Sequence, residues 1–282
     1  MANTLDIRRR IRSVKNTSQI TKAMQMVAAS KMRKAQMAAL AGRPFQDLLW
    51  RVLASLRGRV NPNDHELLRV RPVQRELLVV FSTDKGLCGP LNTNLFRELN
   101  NLDPQKTLFV GCGRKSVQFL ARTKRNLVAD FPLGETPSIR EIRPIGSFCR
   151  ERFVSGEVDQ VRALYPYFVN TLNQAPTLRS LLPIPVEELG LHLPKEGTEH
   201  IFEPDEASVL SDILPRYINF QLFQMVLDSR ASEHSARMVA MKSATDNAKE
   251  LVKHLTLEYN KIRQASITTE LLEITTAQLA LE

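Results

Sequence analysis

A length of 282 residues allows about two domains. The 43% hydrophobic and 24% charged residues match ordinary globular usage, which excludes wholesale disorder and fibrous repeats. With only 11 glycines and 6% aromatic residues, a β-rich sandwich or propeller is disfavoured, and we expect helix to dominate.

The positive charge is concentrated at the N-terminus. Residues 1–43 contain ten Lys or Arg and one acid, so they account for the whole net charge of +9, and the rest of the chain is neutral. A basic helix face of this kind indicates a partner surface that carries negative charge, whether nucleic acid, anionic lipid or an acidic protein patch.

The first predicted element is a long helix. No Gly or Pro occurs in residues 1–41, which allows a helix of about 60 Å. Alternating steps of four and three residues predict one helix seam, although its middle is polar or small. This seam consists of Ile7, Ile11, Val14, Ser18, Thr21, Gln25, Ala28, Met32, Ala35 and Ala39.

The middle of the chain alternates between strand and helix patterns, which is typical of β-α-β units. A link over residues 43–70 precedes the first apolar run, 76–82. The predicted strands cover residues 76–82, 107–112, 126–131, 159–169 and 177–182, and the predicted helices cover 91–101, 115–121 and 142–153. A Pro-rich connector follows over residues 183–204.

The C-terminal segment again has no helix breaker, from Arg216 to Glu282. Its seam positions are Phe220, Gln224, Leu227, Ala231, His234, Met238, Met241, Thr245, Ala248, Val252, Leu255, Tyr259 and Ile262. We therefore expect a long antiparallel coiled coil of the N- and C-terminal helices with an inserted small α/β (Rossmann-like) domain. The predicted divisions are 1–58 for the first helix and link, 71–190 for the α/β domain, 191–210 for a connector and 211–282 for the second helix.

Sites for chemistry are weak in this sequence. The glycines around Gly86–Gly89 and Gly111–Gly113 match neither of the usual nucleotide-binding patterns, so a plain strand-to-helix turn is the better interpretation. Cys88 follows a strand, where a nucleophile could lie, but a buried structural thiol is the stronger reading. The spacing of the three cysteines predicts neither zinc nor disulfides, and their odd number favours a reducing cytosol. We expect no catalytic residue, cofactor or metal on this chain.

Two alternatives remain at this point. An enzyme could use Cys88 in the α/β domain, and a nucleic-acid-binding or scaffold protein could use the basic helix. The basic helix lacks interleaved aromatic residues for base stacking, so nucleic acid is the secondary hypothesis.

Motifs at both ends of the chain and one in the middle are specific enough to indicate a family. The N-terminal motifs are DIRRRIRSVKNT at residues 6–17 and ITKAMQMVAASKM at 20–32. The C-terminal motifs are ASEHSARMVAMK at residues 231–242 and NKIRQASITTEL at 260–271, and the central motif lies at residues 82–92. Together they closely resemble the gamma subunit of F-type ATP synthases, and the resemblance extends over the whole chain.

The resemblance implies a central rotor shaft. It implies that proton flow turns the shaft, which drives ATP synthesis in catalytic subunits that carry the chemistry. The implied partners are the alpha and beta subunits, the epsilon subunit and the membrane ring of c subunits, with one copy of this chain per complex and no nucleic acid. The implied location is peripheral, on the cytoplasmic face of the bacterial inner membrane.

The same resemblance suggests contact residues. Arg263 and Gln264 would hydrogen-bond a loop of a catalytic subunit, with Thr268 and Glu270 nearby. Met24 would lie near the lever region of a catalytic subunit, although ordinary coiled-coil packing explains this residue equally well. The neighbouring bases that could face an acidic segment there are Lys22, Lys31 and Arg33.

Overall fold

The computed structural model describes residues 4–56, 65–185, 203 and 205–279. Internal contacts divide the chain into two compact units, the first formed by Met1–Ala28 with Arg237–Glu282 and the second by Ala29–Ala236. The elements in chain order are α1 (Thr4–Ala41), α2 (Arg43–Leu56), β1 (Glu76–Phe81), α3 (Leu91–Glu98), β2 (Thr107–Cys112), α4 (Arg114–Arg122), β3 (Leu127–Phe131), α5 (Ile139–Val154), β4 (Gln160–Phe168), β5 (Gln174–Leu182) and α6 (Glu206–Leu279).

The first unit is an antiparallel helix pair. Arg8 of α1 donates a hydrogen bond to the Tyr259 hydroxyl of α6, and the Thr21 and Thr245 hydroxyls lie 2.7 Å apart. Because the α6 number falls as the α1 number rises, the two helices run in opposite directions. Every residue of both predicted seams is buried or half-buried, which confirms the coiled-coil prediction.

The second unit contains a five-stranded sheet in the order β3-β2-β1-β4-β5. The first four strands are parallel, and β5 runs antiparallel to β4. All six residues of β1 are buried, as expected for the central strand of a sheet covered on both faces. The predicted α/β class is thereby confirmed.

Strand alternation directs β1 side chains into two cores. Leu78 and Val80 pack with α3 and α4 residues such as Leu95 and Leu120 on one face. Leu77, Val79 and Phe81 belong to a larger core on the other face, shared by α2, α5 and the first part of α6. The beginning of α6 is therefore part of the hydrophobic core of the second unit.

One ion pair is largely buried at the beginning of the sheet. Glu76 of β1 accepts a hydrogen bond of 2.7 Å from Nε of Arg162 on β4 and one of 2.8 Å from the Thr107 hydroxyl on β2. These bonds join three strands and satisfy a carboxylate whose side chain is only 10% exposed.

Two elements begin three residues earlier than predicted. Helix α5 begins at Ile139 rather than 142, because Glu141 accepts hydrogen bonds from the backbone N–H and the hydroxyl of Ser138 and so fixes an earlier first turn. Strand β5 begins at Gln174 rather than 177, because it pairs with β4 as far as Phe168. Of the predicted connector 191–210, residues 191–202 and 204 lie outside the described part of the chain. The predicted division into domains stays a prediction.

Candidate functional site

The glycine-rich turn after β2 serves close packing. The backbone N–H groups that begin α4 are all engaged by protein oxygens: Arg114 donates to Asp84 Oδ1, Lys115 to the Thr83 carbonyl and Ser116 to the Ser82 hydroxyl. A Cβ at Gly113 would lie 2.3 Å from the Ser82 carbonyl oxygen, so only glycine fits here. These donors are not directed at a ligand, which agrees with a plain strand-to-helix turn.

Cys88 lies in a structural position. Its side chain is 2% exposed and packs with Leu91 and with Ala236 of α6. The Asn92 side-chain amide donates to its Sγ at 3.5 Å and to the Thr83 hydroxyl at 2.7 Å. The motif at residues 82–92 therefore forms a packed turn against α6. Among the described residues, no group of three or more His, Cys, Asp or Glu side chains is arranged to hold a metal ion.

The basic residues proposed on α1 are in different environments. Lys22 and Arg33 are exposed, and Met24 is half-buried. The Lys31 ammonium binds the carboxylate of Glu135, and this hydrogen bond lowers the pKa of Glu135. Lys31 therefore already has an anionic partner within the second unit, whereas Lys22 and Arg33 present their charge to solvent.

The predicted contact residues near the end of α6 are all exposed. Every described side chain from 263 to 278 is exposed, including Arg263, Gln264 and Glu270. The Thr268 hydroxyl donates a 2.9 Å hydrogen bond to the Gln264 carbonyl of its own helix. Three large apolar side chains share one helix face here, Ile267, Leu271 and Ile274, each at least 47% exposed. Charged and apolar surface thus lie together on one unburied helix segment.

Sequence reasoning missed one polar cluster on α6. Arg230 donates 2.9 Å hydrogen bonds to the carbonyls of Leu133 and Gly134 and forms an ion pair with Glu233. Polar helix residues are ordinarily expected on the solvent face, so the sequence pattern placed only Ala231 and His234 of this stretch in the seam. The signal that could have revealed it is the run SRASEHSAR at 229–237, which has no continuous apolar stripe.

None of the helices in the described ranges is apolar over a stretch sufficient to cross a membrane.

Comparison with known proteins identifies the family. The ATP synthase family model described as "ATP synthase" matches residues 3–281. The chain is 50% identical to the ATP synthase gamma chain of Opitutus terrae, with 99% of each chain covered. It is 48% identical to the ATP synthase gamma chain of Methylacidiphilum infernorum, with 100% of each covered.

Solved structures share the fold. A chain of the Euglena gracilis mitochondrial ATP synthase, in a structure of OSCP/F1/c-ring, has a TM-score of 0.71 at 19% identity, covering 99% of this chain and 94% of that one. A chain of the Tetrahymena thermophila mitochondrial ATP synthase central stalk/c-ring has a TM-score of 0.62 at 24% identity, covering 80% of this chain and 99% of that one. These matches give no support to a nucleic-acid-binding role. With relatives about half identical along its full length, this chain belongs to the ATP synthase gamma-chain family.

Proposed function

We propose that this chain is the central rotor shaft of an ATP synthase, which couples proton flow through a membrane ring to conformational change and ATP synthesis in the catalytic subunits. It is a noncatalytic subunit of that enzyme. The observation that carries the proposal is the antiparallel α1–α6 pair, in which helix α6 continues with fully exposed side chains from 263 to 278. Such a segment needs a surrounding protein surface to cover its apolar face.

The shaft acts by changing which conformation of each catalytic subunit is the most stable. A ligand shifts a conformational equilibrium only by its difference in affinity for the two states. An asymmetric shaft supplies that difference mechanically, because each rotation angle presents another face to a given catalytic subunit. The contacts have to be broad and individually weak, since one very strong bond would hold the shaft at a single angle.

We assign a contact with a loop of a catalytic subunit to Arg263 and Gln264, with Thr268 and Glu270 beside them. Their exposure supports this assignment, because no described residue of the chain covers them. The planar guanidinium of Arg263 can form two parallel charge-assisted hydrogen bonds to a carboxylate or to paired carbonyls.

On α1, the exposed side chains of Lys22 and Arg33 are the better candidates for an acidic segment of a catalytic subunit. Lys31 contributes less to that attraction, because its ammonium is already paired with Glu135. Half-buried Met24 retains both a packing role and a contact with the lever region as its proposed functions.

The other proposed partners are the epsilon subunit and the ring of c subunits, with one copy of the chain per complex. We further propose a peripheral location on the cytoplasmic face of the bacterial inner membrane. The absence of a membrane-crossing helix among the described residues is compatible with attachment through protein contacts.

The decisive experiment is Arg263→Ala in the reconstituted complex. We expect coupled ATP synthesis to fall about 10-fold, because a charge-assisted hydrogen bond contributes about 1.5 kcal/mol and each step of about 1.4 kcal/mol is a factor of about ten in rate. The amount of assembled complex should not change, since Arg263 is exposed and buries nothing within the chain.

Lys253→Ala is the matched control, because it removes one exposed positive charge from the same helix at another position. Its synthesis rate should equal that of the wild type. Unchanged synthesis in Arg263→Ala would remove Arg263 from the contact surface.

A further inference from the structure

Nine consecutive residues of α6 are buried although most are polar. Residues 229–237 are each at most 9% exposed, and Ser232 and Ser235 are completely buried. An amphipathic helix normally buries one apolar stripe and exposes the opposite face. Here the helix is enclosed on all sides, and its contacts include directional hydrogen bonds.

The hydrogen bonds of this stretch reach separate parts of the second unit, two loops and one strand. Arg230 donates to the carbonyls of Leu133 and Gly134, in the loop after β3, and its guanidinium lies 3.4 Å from Asp84 in the loop after β1. The Ser232 hydroxyl donates 2.9 Å to the Pro166 carbonyl on β4.

The remaining contacts complete the enclosure. The Ser235 hydroxyl donates 2.8 Å to the Thr171 carbonyl in the β4–β5 turn. Ala236 packs on Cys88 and Leu91 after β1. We call α6 residues 229–237, together with the carbonyl groups of Leu133, Gly134, Pro166 and Thr171 that accept their bonds, the polar collar.

The donors face different sides of the helix axis. Successive residues of an α-helix are rotated by about 100°, so the Ser232 side chain is about 160° away from Arg230 and the Ser235 side chain about 140°. Turning α6 about its own axis relative to the sheet would stretch hydrogen bonds on opposite sides of the helix at the same time. Purely apolar packing lacks this directionality and resists such rotation less.

The loop that accepts the hydrogen bonds of Arg230 is also bound to two other helices. Glu135 of this loop binds Lys31 of α1. The Gly134 N–H donates 2.9 Å to the Glu141 carboxylate of α5, and this bond is the main cause that lowers the pKa of Glu141. A force that α6 exerts through Arg230 therefore acts on a loop that is also bound to α1 and α5.

We propose that the polar collar is a torsional lock that forces the α/β sheet to rotate with α6. This inference rests on the rotor role proposed above and adds the place where torque passes from the helix to the sheet. Buried polar and ionic groups contribute little net stability compared with apolar residues of the same size, and their best-attested use is to specify one arrangement. Fixing a single angle between α6 and the sheet is such a use.

The test is the torsional stiffness of the rotor in single complexes. The catalytic subunits are immobilised and a bead is attached to an engineered thiol at exposed Lys106, introduced as Lys106→Cys; the native cysteines are all buried. The angular fluctuation of the bead is recorded while the complex pauses. With the collar intact, the fluctuation is narrow.

In Arg230→Met, and in Ser232→Ala combined with Ser235→Ala, we expect the angular variance to increase about twofold or more, because directional bonds are lost while apolar burial is kept. Hydrolysis by the catalytic subunits should continue. If Arg230→Met does not assemble, the double serine variant decides alone, since it removes only two hydroxyl groups. A variance equal to that of the wild type in the assembled double variant would overturn the proposal.

Two controls separate torque transmission from general stability. Val79→Ala creates a cavity in the buried β1 core and lowers the unfolding midpoint without touching the collar, so its angular variance should stay at the wild-type value. Arg122→Met removes an exposed arginine from α4 and should behave in the same way. If the wild-type chain fails to rotate with ATP, the rotor role itself is wrong. If the wild-type chain rotates but the collar variants have wild-type torsional stiffness, only the torsional lock is wrong.

Discussion

Asp228 is an acidic residue on α6 whose surroundings oppose its charge. Burial is the main cause that raises its pKa to about 6, and the positive charge of Arg179 on β5 acts in the opposite direction. Between about pH 4 and pH 6 the folded chain therefore retains a proton that the unfolded chain has lost. Because the unfolded state binds fewer protons in this window, the free energy of unfolding falls as the pH rises through it.

Asp228→Asn should remove this pH-dependent penalty. The neutral amide has nearly the same volume, so above pH 6 we expect the variant to unfold with a free energy about 1 to 2 kcal/mol higher, which is below the full linkage value because the side chain is only partly buried. Urea unfolding of the purified chain at pH 5, 6, 7 and 8 would measure the difference. It should grow up to about pH 7 and then level off; a difference that does not depend on pH would contradict the assignment.

At the residue scale, the sequence predicted types of position better than contacts. The turn at Gly113 and the burial of Cys88 follow from their places after apolar runs, and both are confirmed. The burial of Arg230 and Ser232 could not be predicted, because their acceptors are backbone carbonyls in the loop after β3 and on β4, 66 or more positions away in the chain. No periodicity within α6 encodes the positions of those loops.

At the scale of an element, the seam of the helix pair contains a buried polar step. The Thr21 and Thr245 hydroxyls are 2.7 Å apart, and the carbonyls of Ser18 and Met241 lie within hydrogen-bond distance of Thr21 and Thr245 respectively. One hydroxyl therefore donates to the other, which in turn donates to the carbonyl of its own helix. A polar pair inside a coiled-coil seam specifies register and costs stability compared with an apolar pair. This pair thus identifies which turn of α1 faces which turn of α6.

Thr245→Val should destabilise the chain by about 1 kcal/mol, because it leaves the buried Thr21 hydroxyl with a single partner. Adding Thr21→Val should recover part of this loss, since two valines pack without an unsatisfied hydroxyl. A double-mutant cycle from urea unfolding would give the coupling energy between the two positions. Thr256→Val serves as the control, because its exposed hydroxyl bonds only the Val252 carbonyl of its own helix. Additive effects of the two substitutions would show that the hydroxyls do not interact.

The boundaries of the two long helices show where glycine and proline predict a helix end and where core packing decides it. The absence of glycine and proline predicted α1 well, and it ends at Ala41 directly before Gly42. The start of α6 was harder to predict, because Pro215 lies inside the helix, where proline removes a backbone donor. Leu210 and Leu214 precede this proline and are both buried in the core. Their burial offsets the free energy that the missing backbone hydrogen bond of Pro215 costs the helix.

At the scale of the whole molecule, the sequence carried the family and the architecture, whereas the partner-binding surfaces depend on proteins outside this chain. The antiparallel helix pairing and the α/β class follow from seam spacing and β-α-β alternation. The exposed apolar face around Leu271 has no cover among the described residues, so its complement has to be sought in the assembled complex.

The proposed location predicts how the chain fractionates. In the proposed rotor, the chain is attached to the membrane through its contacts with other subunits. The chain should sediment with isolated inner membranes and be released by a low-salt wash that leaves the c subunits behind. Native mass spectrometry of the wash, through a tag on this chain, should find one copy with three alpha and three beta subunits, and the same fraction should hydrolyse ATP. A lone chain, or one bound to nucleic acid, would contradict both the location and the rotor role, because a shaft that is free of its ring has no surface for residues 263–278 to turn against.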